Sequence, residues 1–180
     1  MQKMRIKNLI DEDFINYKLP SMYIAFPSCS FKCDRENGCA LCQNSHLTKE
    51  KDIVIEKEEL VERYLKNPIT SAIVLAGLEP FDSEFDLLPF IDCLRRKYDC
   101  KDTVVIYTGY TEEELKKGEF GTGENSELKS KYWEELIGYG NIIVKFGRFR
   151  PNNKKHFDNV LGVYLCSDNQ YAKEYINESL

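Results

Sequence analysis

Four short runs of strand-forming residues punctuate the chain, at 21–26 (Ser-Met-Tyr-Ile-Ala-Phe), 69–76 (Ile-Thr-Ser-Ala-Ile-Val-Leu-Ala), 103–107 (Thr-Val-Val-Ile-Tyr) and 142–146 (Ile-Ile-Val-Lys-Phe). Runs that are apolar nearly throughout, rather than alternating, suit strands covered on both faces, as in a parallel sheet. Helical stripes separate them. Leu60, Val61, Tyr64 and Leu65 share one face of 57–66, and a helix started near Leu87 puts Pro89 in its first turn and Phe90, Ile91, Leu94 and Tyr98 toward the sheet. Thr111 and Glu114 form a capping box for 112–117, and Leu128, Tyr132, Trp133, Leu136 and Ile137 mark a helix over 126–137. A short strand at 53–55, a last strand over 160–165 and a terminal helix near 170–177 complete the expectation, with one or two extended segments in 1–20. This alternation predicts an α/β fold, a parallel sheet flanked by helices, in a single domain over 1–180 with no dividing linker.

Ligands of such sheets gather at the carboxyl ends of the strands. The unusual segments all fall there: a cysteine loop at 29–44, then Gly77-Leu78-Glu79-Pro80, Thr108-Gly109, and Lys145 to Arg148. The loop carries Cys29, Cys33, Cys39 and Cys42, four of the seven cysteines, spaced by polar residues and Gly38. Such a stretch reads as a loop wrapped around an inorganic centre. With no apolar leader and no apolar run near the roughly 20 residues of a membrane span, the chain is expected in the cytoplasm and off the membrane. There, clustered thiols hold metal more often than disulfides. A net charge of −5 without a basic block argues against a nucleic-acid partner. Cys93, Cys100 and Cys166 read as buried structural thiols. Arg148, Arg150, Lys154 and Lys155 read as a solvated basic surface, or as a contact for an acidic partner or a cofactor carboxylate. His46 and His156 read as surface residues.

These residues carry a resemblance. The cysteine loop after the first strand of the sheet, Cys42-Gln43-Asn44 at its end and Gly77-Leu78-Glu79-Pro80 after a later strand resemble the radical S-adenosylmethionine (SAM) enzymes. Tyr107-Thr108-Gly109-Tyr110-Thr111 and Ser167-Asp168-Asn169-Gln170 are similar to segments of the anaerobic ribonucleotide reductase activating proteins, so that the resemblance covers nearly the whole chain. It implies a partial (β/α) barrel-like sheet of the radical SAM type and a 4Fe-4S cluster held by three cysteines, with SAM on the open iron. Reductive cleavage of SAM would then yield a 5'-deoxyadenosyl radical that removes a hydrogen from a glycine of a large reductase. The implied partners are that glycyl radical enzyme and a one-electron donor such as flavodoxin.

The family spacing is Cys, three residues, Cys, two residues, Cys, and here two triplets compete. Cys29, Cys33 and Cys42 keep the first interval and the Cys-x-Asn ending; Cys33, Cys39 and Cys42 keep the closing interval. The first is preferred, because intervening residues can loop outward without moving the ends. Gly77 and Glu79, with Leu78 in place of the family's second glycine, are implied cofactor contacts, as are Thr108 and Lys145. For Lys145 the alternative is a rim lysine that only snorkels. Two other functions stay open: a radical SAM enzyme acting on a small molecule, as the small deazaguanine synthases do, and a zinc-binding interaction module using all four clustered cysteines.

Overall fold

The computed structural model describes residues 3–176. Its strands are β1 (Lys3–Ile6), β2 (Asn8–Asp13), β3 (Ser21–Phe26), β4 (Ile53–Glu56), β5 (Ala72–Gly77), β6 (Thr103–Tyr107), β7 (Ile142–Phe146), β8 (His156–Asp158), β9 (Val163–Leu165) and β10 (Tyr171–Tyr175). Its helices are α1 (Lys32–Asn37), α2 (Lys57–Lys66), α3 (Glu84–Asp92), α4 (Glu112–Lys117) and α5 (Ser126–Gly138). Six strands form one sheet in the order β10-β7-β6-β5-β3-β2. The inner four are parallel and the two outer ones antiparallel to their neighbours. The row does not close among the described residues, so the expected barrel-like sheet is here a mixed, largely parallel sheet.

Strand pleating sorts the side chains into two unequal cores. Met22, Ile24 and Phe26 of β3, Ile73 and Leu75 of β5, Val104 and Ile106 of β6, and Val144 and Phe146 of β7 face the helices. There they pack against Leu60 and Val61 of α2, Phe90 and Ile91 of α3, and Trp133 and Leu136 of α5. The opposite face carries smaller residues, Ala72, Val74, Ala76, Val105 and Ile143, packed with Tyr17, Leu161 and Leu165. Among the described residues no helix contributes to this second core. Its cover is the strap over 14–19 and the β8–β9 hairpin, joined where Lys18 N–H donates to the Leu161 carbonyl (2.8 Å). Gly162, at φ +72°, permits that crossing, since a Cβ there would meet the Lys18 Cβ at 2.6 Å.

Several expectations are corrected. The terminal helix is instead β10, a strand paired with β7 from Tyr171↔Phe146 to Tyr175↔Ile142; Asn177 lies outside the described residues. The 160–165 run joins no parallel sheet: only Val163–Leu165 is strand, in a hairpin with β8. α3 starts at Glu84, so Pro89 lies inside the helix rather than in its first turn. Proline costs that helix one hydrogen bond, and buried Leu87, Phe90 and Ile91 on either side hold it together. The cysteine loop contains α1, a turn and a half of helix with Cys33 on it. The extended segments of 1–20 are β1 and β2, and β1 pairs antiparallel with β4.

Candidate metal centre

The carboxyl ends of β3, β5, β6 and β7 meet at one rim. Leu78 N–H donates to the Phe26 carbonyl (3.2 Å) and Glu79 N–H to the Ser28 carbonyl (2.8 Å), which ties the start of the cysteine loop to the turn after β5. The far end of the loop is tied to the same turn, because the Asn44 side-chain amide donates to the Gly77 carbonyl (2.7 Å). Gly77 sits at φ +91°, and a Cβ there would fall 2.7 Å from the Ala25 Cα, so only glycine lets β3 and β5 approach this closely at the rim.

Cys29, Cys33 and Cys42 are half-buried, whereas Cys39 is exposed. Cys29 Sγ accepts the Phe31 N–H (3.2 Å). Burial nevertheless raises all three thiols above their ordinary range, and Cys29 reaches about 12, with the Glu79, Asp82 and Cys42 charges adding to burial. Thiols so placed resist ionisation on their own. Bound iron would supply the charge that favours thiolates, and N–H···S bonds are among the contacts that tune iron–sulfur clusters. Gly109 leaves space beside them, since a Cβ there would stand 3.4 Å from the Cys33 sulfur. Among the described residues no three His, Cys, Asp or Glu side chains converge on one ion position. A single zinc needs all its sulfurs about 2.3 Å from one point, whereas a cubane takes its thiolates at separate irons. Three half-buried thiols on one rim are the donor set that a 4Fe-4S cluster takes.

Glu79 is buried behind these thiols. Its carboxylate accepts the Thr108 hydroxyl (2.8 Å), the Gly109 N–H (2.8 Å) and the Phe81 N–H (3.2 Å). Burial and the nearby Asp82 push it up to about 7 against those hydrogen bonds. Thr108 thus holds Glu79 in place, and its hydroxyl oxygen also accepts the Tyr110 N–H (3.0 Å). Lys145 does not snorkel. It is buried, its Nζ lies 3.1 Å from the Gly147 carbonyl, and burial brings its ammonium down to about 8.

A cavity of about 400 Å³ opens below this rim on the sparsely filled face of the sheet. Cys33, Cys42, Gly77, Leu78, Thr108 and Lys145 all line it. A smaller recess alongside is bounded by Cys29, Cys33, Glu79 and Gly109. The larger volume lies in the range of about 300–1,000 Å³ typical of small-molecule sites. The three preferred cysteines and the implied cofactor contacts Gly77, Leu78, Glu79, Thr108 and Lys145 therefore each border one of two adjoining spaces, whereas Cys39 borders neither.

Sequence reasoning missed three contributors. Cys166 is half-buried on the cavity wall, not a core thiol, while Cys93 and Cys100 are buried as expected. Arg148 is buried rather than part of a solvated basic surface. The Ser167-Asp168-Asn169-Gln170 segment braces the turn after β7: Gln170 Nε2 donates to the Gly147 carbonyl (3.1 Å) and Asn169 Nδ2 to the Arg148 carbonyl (2.9 Å). His46 is exposed, and His156 is partly buried with its Nε2 2.7 Å from the Gln170 carbonyl.

No curated protein matches the chain. A family described as the 4Fe-4S single cluster domain matches residues 21–170, from the start of β3 to the residue before β10. The match spans the whole rim and every cysteine of the loop, and the chain belongs to that iron–sulfur family.

Proposed function

We propose that this iron–sulfur protein is a radical SAM enzyme that holds its cluster through Cys29, Cys33 and Cys42. The observation that carries the reading is that these three thiols and the Gly77-Leu78-Glu79 turn line two adjoining spaces, the larger of them big enough for a nucleoside-bearing ligand. When bound, cluster and SAM together supply a 5'-deoxyadenosyl radical. The protein's own work is to receive and orient. Gly77, Leu78 and Thr108 line the space for SAM, Glu79 fixes the turn that presents them, and Lys145 offers a buried cation to a ligand carboxylate.

The substrate we favour is a glycine of a large anaerobic ribonucleotide reductase, with an external one-electron donor of the flavodoxin kind. The cavity lining supports this choice: Ile15 and Tyr164, both part of it, stand 77% and 72% exposed, an apolar edge suited to a docking protein. The test is anaerobic reconstitution of single variants. Cys29→Ala, Cys33→Ala and Cys42→Ala should lose nearly all cluster absorbance and iron, and Cys39→Ala should keep most of both. Loss in Cys39→Ala with retention in Cys42→Ala would select the other triplet. A wild-type cluster that leaves SAM uncleaved under reduction overturns the radical reading, and cleavage without a glycyl signal on the reductase by electron spin resonance overturns the activase reading.

A further inference from the structure

α1 carries Cys33 yet buries none of its six side chains. A helix this short has too few internal bonds to persist alone, and no apolar face fixes it to the core. It begins from Phe31 in the left-handed region without a side-chain cap. Its own local bonds are Asp34 Oδ1 accepting the Leu41 and Cys42 N–H groups (2.9 and 3.0 Å) and Asn37 Nδ2 donating to the Cys33 carbonyl (2.8 Å). Those bonds shape the loop but do not attach it to the sheet.

Attachment comes from a charge cage around Glu114 on α4. Lys32 donates to Glu114 Oε1 at 2.5 Å, and Arg148 makes a two-pronged contact with the same carboxylate at 2.7 and 2.9 Å. Arg148 Nε also lies 3.2 Å from a Glu36 carboxylate oxygen on α1. The side chains of Arg148 and Glu114 are only 9% and 16% exposed, so water competes weakly for the pair. Lys32 and Arg148 further stand 5.5 and 5.8 Å from the centre of the Tyr110 ring. Thr111 Oγ1 accepts the Glu114 N–H and Glu114 Oε2 accepts the Thr111 N–H, which fixes the carboxylate before α1 arrives.

We propose that Glu114 is a positioning residue for the metal centre: through Lys32 and Arg148 it latches α1, and with it Cys33, over the ends of β5 and β6. The idea rests on Cys33 being a cluster ligand only for its purpose, not for its geometry. The latch should weaken with salt, unlike an apolar attachment.

The experiment is amide hydrogen exchange on the metal-free chain, followed by iron release to a chelator after reconstitution. Glu114→Gln should speed exchange across residues 32–37 about tenfold, leaving β5 and β6 protected, and should make iron leave several times faster. Glu114→Asp should recover part of both, and 1 M salt should loosen residues 32–37 in the wild type but change Glu114→Gln little. Unchanged exchange in 32–37, or loosening that ignores salt, overturns the proposal. If Glu114→Gln unfolds through loss of its capping box, Lys32→Gln combined with Arg148→Gln leaves the box intact, and local loosening or its absence in that variant decides. A wild-type chain that binds no cluster would refute the functional reading while leaving the exchange result standing.

Discussion

Glu79 shows how much a single side chain holds together at this rim. Three donors from the turns after β5 and β6 end on its carboxylate. Glu79→Ala should destabilise the metal-free protein by about 1–3 kcal/mol in urea unfolding, the cost of stranding buried donors, and Glu79→Gln by less. The carboxyl also sets a pH signature. Burial lifts it from 4.5 to about 7 in the fold, so between those values the unfolded chain releases its proton first. Stability should therefore fall as pH rises through that window, and the slope should flatten in Glu79→Gln. The importance of Glu79 is legible in the sequence because its turn, plain in itself, follows a strand in a chain that also carries the cysteine loop. The burial of Arg148 is not: a strand-end position alone does not separate it from the basic residues that follow, and what selects it is Glu114, on another element.

At the scale of elements, β10 is the instructive case. Its Tyr-Ala-Lys-Glu-Tyr sequence reads equally as helix, and pairing with β7 overrides the local preference. Glu112 on α4 helps to fasten it, reaching both Lys173 Nζ (2.8 Å) and the Tyr175 hydroxyl (3.1 Å). Partial burial would raise that carboxyl, but the hydrogen bonds from Lys116, Lys173 and Tyr175 hold it down at about 2. Its contribution is present above pH 4.5 and is lost as pH falls toward 2. Glu112→Gln should thus lower Tm at pH 7 by a few degrees, at about 2–4 °C per kcal/mol, with the gap closing as both proteins are acidified. The interior strands, α2 and α5 are legible from their apolar patterns, and α4 from its capping box. α1 is not, because nothing in it is buried and its contacts are long-range ion pairs.

For the whole molecule, the division of the sheet into a heavily packed face and a sparse one makes the cavity possible. Ala25, Ala72 and Ala76 stand where the other face has Ile24, Ile73 and Leu75. The lower part of the sparse face is stoppered by Tyr17, Leu161 and Leu165. Leu161→Ala should cost about 2–5 kcal/mol in thermal or urea unfolding, the range for a buried leucine, with β3, β5, β6 and β7 still protected in exchange. The parallel core and the crowding of odd residues at its carboxyl end are foreseeable from the sequence; the strap and hairpin covering the sparse face are not, because three-residue strands carry too little pattern.

The stopper and the chamber share their parts: Ile15 and Asn16 of the strap and Val163, Tyr164 and Leu165 of the hairpin line the cavity. Since strap and hairpin grip each other where Lys18 meets Leu161, slackening that grip should widen the chamber on one flank and leave the helix-covered side of the sheet as it stands.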